Sequence, residues 1–98
     1  MDKQIEAFIQ WLGDVSAYTR KTYRSDLRQF ARWYQATYGQ PVGIQDLAPV
    51  IVEAYKSDLM GRMRAKPATV KRRLATLRRF GQWAVEQGLI RTLPYAST

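Results

Sequence analysis

The chain has 98 residues and carries 16 Lys and Arg against eight Asp and Glu, a net charge of +8. It contains no cysteine and no histidine, which excludes a disulfide framework, thiolate catalysis and the common zinc sites, so we expect no catalytic residue, metal or cofactor. The length suits one modest hydrophobic core, and the basic excess points to a polyanionic partner.

The first half of the sequence predicts two amphipathic helices. The segment from Asp2 to Leu12 places its apolar residues on one helical face. Gly13 interrupts the pattern, and Ser16 is the expected N-cap of a long second helix that runs to about Tyr38. That helix has an aromatic and aliphatic stripe suited to a core, and a row of basic residues that suits either a solvated face or phosphate contact: Lys21, Arg24, Arg28 and Arg32.

The second half predicts a loop and two further helices. Residues 39–46 contain two glycines and a proline, and we expect this loop to be ordered by Val42 and Ile44 in the core. Pro49 opens a third helix that runs to about Met60. A fourth helix begins at Pro67 and ends before Gly88, which favours the left-handed conformation that closes helices. Four helices with short connections predict an all-α, four-helix bundle.

Charge is concentrated around the fourth helix. Residues 46–98 hold ten basic and four acidic side chains, whereas residues 1–45 hold six and four. Helix starts that carry hydroxyls and open N–H groups, together with basic faces, provide what a DNA backbone requires. No apolar run approaches the roughly 20 residues of a membrane span, and the acidic N-terminal region does not fit a signal peptide, so we expect a cytoplasmic protein with no membrane contact.

Two blocks of sequence carry a resemblance to a known family. Residues 16–30, SAYTRKTYRSDLRQF, resemble the S-x-x-T-x-x-x-Y-x-x-D-L-x-x-F opening of the core-binding, SAM-like N-terminal domain of tyrosine recombinases, which include phage integrases and Xer-type enzymes. Residues 69–90 are similar to the T-x-x-R-x-L-x-x-L-R-x-F-x-x-W…G-L-I signature of that domain. The chain departs from the pattern at Ala48, where the family usually has Thr or Ser, and at Leu93, where it usually has Asn.

The resemblance implies a module that holds one face of double-stranded DNA with its second and fourth helices during DNA integration or recombination. The family's catalytic domain would follow in a longer parent protein, so this chain is not expected to be an enzyme, and its partners would be DNA, that domain and other recombinase protomers. We expect residues 1–92 to form the domain and residues 93–98 a tail or linker. The expected DNA contacts are Thr19, Lys21, Arg24, Lys66, Thr69, Lys71, Arg72, Arg73 and Arg79.

Other interpretations remain at this stage. Arg73 borders the apolar stripe of the fourth helix and could pair with Asp26 or Asp58 instead of DNA. Tyr95 lies in the expected tail without the cationic surroundings that activate a tyrosine nucleophile. The chain could instead be a basic helical adaptor that binds a protein through exposed Trp33, Met60, Met63 and Trp83. It could also be a helix-turn-helix regulator, although neither residues 39–48 nor residues 61–66 resemble the short, sharp turn of that motif.

Overall fold

The computed structural model describes residues 1–94 and contains four α-helices, with no strand among these residues. The helices are α1 (Asp2–Trp11), α2 (Ala17–Tyr38), α3 (Pro49–Met60) and α4 (Pro67–Glu86), and a 3-10 helix covers Ile44–Asp46. The predicted all-α class and four-helix bundle are therefore confirmed. None of the helices described combines the length and the hydropathy that a membrane span requires.

The helix ends follow the capping residues in the sequence. Ser16 accepts a hydrogen bond from the Thr19 amide at 3.0 Å, which caps α2, and Gly39 closes this helix at a φ of 79°. Pro49 and Pro67 occupy the first positions of α3 and α4, where their missing N–H groups cost nothing. Ala48 forms no side-chain cap, as its methyl group dictates.

The core is centred on Phe8 of α1, which is fully buried. Its ring lies 5.9 Å from Tyr23 of α2, 5.4 Å from Phe80 and 5.8 Å from Trp83 of α4, measured between centroids. At the other end, Phe30 of α2 meets Tyr55 of α3 at 5.1 Å, edge to face. These aromatic contacts join all four helices and so fix how α2 and α4 lie against each other.

Both tryptophans that the protein-adaptor alternative requires at the surface are buried. Trp83 and Trp33 are each 4 % exposed. Phe8 covers Trp83 from α1, and Trp33 donates a hydrogen bond from its indole nitrogen to Asp58 at 2.8 Å. On α4 taken alone, Trp83 lies near the basic side, but in the folded chain Phe8 of α1 packs against the Trp83 ring. Val42 and Ile44 are each 5 % exposed, so the loop is anchored in the core as predicted.

The chain folds back after α4. Gly88 adopts a φ of 73°, and Pro94, which we assigned to the tail, is fully buried. The Pro94 ring lies over Gly81 of α4 so closely that a Cβ atom there would come within 2.5 Å of it. The absence of a side chain at Gly81 therefore leaves the space that the Pro94 ring occupies. The expectations for Tyr95 and the rest of the tail fall on residues 95–98, outside the described residues.

Candidate nucleic-acid interface

Basic residues are concentrated on two of the four helices. Helices α2 and α4 each carry five basic residues and one acidic residue, whereas α1 and α3 each carry one basic residue and two acidic ones. Helices α2 and α4 also contact each other directly through Asp26, which accepts hydrogen bonds from Arg72 and Thr76. Packing of the fold thus brings the two basic helices into direct contact.

The first turns of α2 present hydroxyl groups that already have partners. The Ser16 hydroxyl donates to Oγ1 of Thr19 at 2.9 Å, and the Thr22 hydroxyl donates to the carbonyl oxygen of Tyr18 at 3.0 Å. Thr19 is half-buried, while Lys21 in the same turn is exposed. At this helix start, Lys21 is therefore the predicted contact that reaches solvent most fully.

Arg24 is tied to the neighbouring helix. Its Nε and Nη2 atoms donate to the two carboxylate oxygens of Glu6 on α1 at 2.8 and 3.0 Å, and Arg28 lies 3.6 Å from the same carboxylate. The hydrogen bond from Arg24 lowers the pKa of Glu6 and raises that of Arg24. The predicted DNA contact at Arg24 thus coincides with an ion pair that joins α1 to α2.

Asp26 is the buried centre of a polar group that we call the Asp26 cluster, formed by Asp26, Arg72 and Thr76. The Asp26 side chain is 2 % exposed and that of Arg72 is 50 % exposed. The guanidinium donates from Nη2 at 2.7 Å and from Nε at 3.2 Å, and the Thr76 hydroxyl donates at 2.8 Å. The hydrogen bond to Asp26 raises the pKa of Arg72, so this arginine remains charged.

The alternative in which Arg73 pairs with Asp26 or Asp58 is not what the structure shows, because its neighbour Arg72 takes Asp26. Asp58, the other predicted partner, is engaged by Trp33 and Arg62. Arg73 lies half-buried beside the hydroxyl of Tyr55, and its Nε atom is buried without a hydrogen-bond partner. It therefore faces the helix junction more than solvent.

The start of α4 exposes two lysines. Lys66 occupies the N-cap position and its side chain makes no capping hydrogen bond, and Lys71 follows one turn later. Both are exposed, and neither forms an ion pair with any residue in the described range 1–94. Thr69 between them is half-buried. Positive charge here coincides with the positive end of the helix dipole, an arrangement suited to an anionic ligand.

Arg79 lies farther along α4, on the side that faces α1. Its guanidinium carbon is 6.0 Å from the centre of the Trp11 ring, a cation–π contact with an indole that is 47 % exposed. Arg72 and Arg79 are seven residues apart and so lie on one side of α4, where both are exposed. Each of these two predicted DNA contacts therefore also binds a residue of a neighbouring helix.

Sequence reasoning missed the role of Arg20. Its guanidinium donates to the carbonyl oxygens of Ile9, at 3.2 Å, and of Gly13, which ties the end of α1 to the start of α2. A helical pattern contains no signal for this contact, because the acceptors are backbone atoms in a turn. Arg20 thus stabilises the α1–α2 connection and has fewer donors left for a ligand.

Tyr55, which lies beside Arg73, is poorly suited to nucleophilic chemistry. Tyr55 is fully buried, and its hydroxyl donates to Oε1 of Gln29. Burial raises the pKa of Tyr55 to about 12, although Arg73 acts in the opposite direction. Its phenol therefore stays protonated at neutral pH and serves as a hydrogen-bonding group of the core.

Comparison with known proteins gives a consistent result. The family model for the phage integrase N-terminal SAM-like domain matches residues 3–88. The chain is similar to a tyrosine recombinase XerC of Syntrophus aciditrophicus (strain SB), with 30% identity over 102 aligned residues that cover 96% of this chain and 33% of the relative. It is also similar to a tyrosine recombinase XerC of Rhodospirillum centenum (strain ATCC 51521 / SW), with 31% identity over 91 residues, 88% of this chain and 27% of the relative. The chain thus spans about a third or less of these relatives, and no solved structure matches it significantly.

Proposed function

The chain belongs to the family of phage integrase N-terminal SAM-like domains, and from this premise we propose that it binds double-stranded DNA through α2 and α4. Most contacts would be made to phosphates by lysine and arginine side chains and by the open N–H groups at the start of α4. The groove of a B-form duplex is wide enough to admit a helix.

One observation carries the proposal: the two helices with five basic residues and one acidic residue are the two joined by Asp26. Lys21, Lys66 and Lys71 on these helices are exposed, and none forms an ion pair within the described part of the chain. Because no carboxylate of the protein offsets their charge, these exposed cations can interact fully with phosphate oxygens. The acidic excess on α1 and α3 makes those helices a poorer surface for DNA.

Within a longer protein, we propose that the domain takes part in DNA recombination or integration by holding one face of the core site. The relatives are tyrosine recombinases in which the similar segment covers about a third or less of the length. The chemistry would then belong to a catalytic domain of the same protein, and other protomers on DNA would be further partners. A single module gives up the effective concentration that a linked domain provides, so its affinity alone would be low.

The alternative of a protein adaptor has less support. It depended on four exposed residues, and two of them, Trp33 and Trp83, are buried. Met60 and Met63 stay 60 % and 36 % exposed. Two methionines at the end of α3 make a smaller apolar surface than the adaptor hypothesis required.

The test is the salt dependence of DNA binding. Anisotropy of a fluorescent duplex would be measured between about 30 and 200 mM salt for the wild type and for a Lys66→Ala/Lys71→Ala variant. Each lost phosphate contact lowers the slope of log K against log salt by about 0.9, so we expect the double variant to lose about two units. A Lys3→Ala/Lys56→Ala variant removes the same charge from α1 and α3 and should change the slope far less.

Two results would contradict the proposal. Binding that is independent of salt would exclude a phosphate interface and favour an apolar partner surface. Equal loss of slope in the two double variants would show that net charge, and not the α4 surface, attracts DNA.

A further inference from the structure

We propose that Asp26 is a positioning residue for DNA binding, which holds Arg72 so that this arginine meets a phosphate as an oriented, charge-compensated donor. The inference rests on the proposed function and assigns a distinct role to one pair within it. Arg72 would differ from the exposed lysines, which act as mobile point charges.

The hydrogen bonds of Arg72 leave its outer edge open. Asp26 accepts from Nε and Nη2, which uses one edge of the guanidinium fork. The Nη1 amino group has no hydrogen-bond partner within residues 1–94, and half of the side chain is exposed. A planar guanidinium with one edge held and another facing solvent can bind a phosphate oxygen without moving.

Asp26 is itself held in place. Its carboxylate is 2 % exposed and also accepts a hydrogen bond from the hydroxyl of Thr76, which is 1 % exposed. Rotation of the carboxylate would break bonds to two side chains of α4. Arg72 therefore loses most of its rotamer freedom on folding, and phosphate binding need not restrict that freedom again.

The position of Arg72 suits contact with a ligand that lies across α2 and α4. The residue follows Lys71 directly on α4, and its guanidinium is hydrogen-bonded to Asp26 of α2. Arg72 thus lies where α2 and α4 meet. Binding of a phosphate there would depend on the relative position of the two helices as well as on their charge.

Compensation by Asp26 predicts an unusual salt effect. A cation that is already paired neutralises less phosphate charge, so its contact should release fewer counterions than a lysine contact does. Removal of both charges of the pair leaves the net charge unchanged. The pair should therefore contribute to affinity through geometry, with little contribution to the salt slope.

The experiment measures binding of a short duplex across a salt series for Asp26→Asn/Arg72→Gln, with Lys71→Ala as the comparison. We expect the double variant to bind about ten-fold more weakly at every salt concentration with an unchanged slope. Lys71→Ala should lose about 0.9 units of slope. Circular dichroism melting of each variant sets a temperature at which all are folded.

Arg72→Lys tests the same idea without removing the ion pair, in case the double variant does not fold. Lysine keeps the charge beside Asp26 but lacks the fork, so we expect weaker binding with the slope of the wild type. Asp26→Asn alone frees the charge of Arg72 and should steepen the slope. Glu53→Gln on α3 removes a carboxylate elsewhere and should steepen it less.

Several results would overturn the inference. Wild-type affinity in Arg72→Lys, or in the folded double variant, would show that the pair has no part in DNA binding. A full unit of slope lost in the double variant would show that Arg72 acts as an uncompensated cation. Equal slopes in Asp26→Asn and Glu53→Gln would limit Asp26 to a structural role. Failure of the proposed function is distinguishable, because the wild type and Lys71→Ala would then bind DNA with no salt dependence.

Discussion

The arginines where α1, α2 and α4 meet and the lysines at the start of α4 differ in their surroundings. Arg24 and Arg72 each donate two hydrogen bonds to a carboxylate of another helix. Lys66 and Lys71 are exposed and form no ion pair within the range described. A positive surface can thus contain charges that stabilise the fold beside charges that remain for a ligand, and composition alone does not separate them.

The largest expected difference is in stability. Arg72→Ala removes the main partner of a buried carboxylate, and we expect the free energy of unfolding to fall by about 2–3 kcal/mol, less than for a fully buried pair because Arg72 is half-exposed. Lys71→Ala should change it by less than about 0.5 kcal/mol. Urea denaturation followed by circular dichroism measures both. Similar losses in the two variants would remove the distinction between the two groups of cations.

The second prediction concerns Thr76, which completes the Asp26 cluster. Thr76→Val keeps the shape but removes a hydroxyl that donates to Asp26, and we expect a loss of about 1–2 kcal/mol in the free energy of unfolding. Thr69→Val makes the same chemical change at a half-buried position in the first turn of α4 and should cost less than about 0.5 kcal/mol. A chemical denaturation series compares them. If Thr76→Val were as stable as the wild type, the hydroxyl would have no part in fixing Asp26.

Much of this fold could be predicted from the sequence because helix ends have local chemical causes. Ser16 accepts an amide of its own helix, proline fits the first position of α4 at Pro67, and Gly88 takes a positive φ. Each effect acts over a few residues, so the residues that cause it can be recognised in the sequence. The family resemblance, which the match to residues 3–88 confirms, added the order of the helices and their assembly.

Contacts between helices could not be predicted in the same way. The helical pattern gave the side of α4 on which Arg72 lies but not its reach to Asp26 on α2, so pairing with Asp26 was considered only for Arg73, as an alternative to DNA contact. It also left Trp83 near the basic side, where Phe8 of α1 covers it. Long side chains bend, and neighbouring helices cover faces that a single helix would expose. The residues expected to contact DNA thus stay a prediction, with the lysines now the clearest candidates.

The smallest effect expected is the acid sensitivity of the Glu6–Arg24 pair, an exposed counterpart of the Asp26 cluster. The hydrogen bond from Arg24 lowers the pKa of Glu6 below its unfolded value. A lowered carboxyl pKa gives stability that is present above the unfolded pKa and is lost as the pH falls through the folded one, here below about pH 4.5. Glu6→Gln should therefore lose less stability than the wild type between about pH 5 and pH 3. The Glu6 side chain is 48 % exposed, so solvent screens the pair and the difference should be smaller than the cost of Thr76→Val at neutral pH. Urea denaturation at each pH measures it, and a pH profile of Glu6→Gln parallel to that of the wild type would show that this surface pair, unlike Asp26 and Arg72, adds nothing to folding.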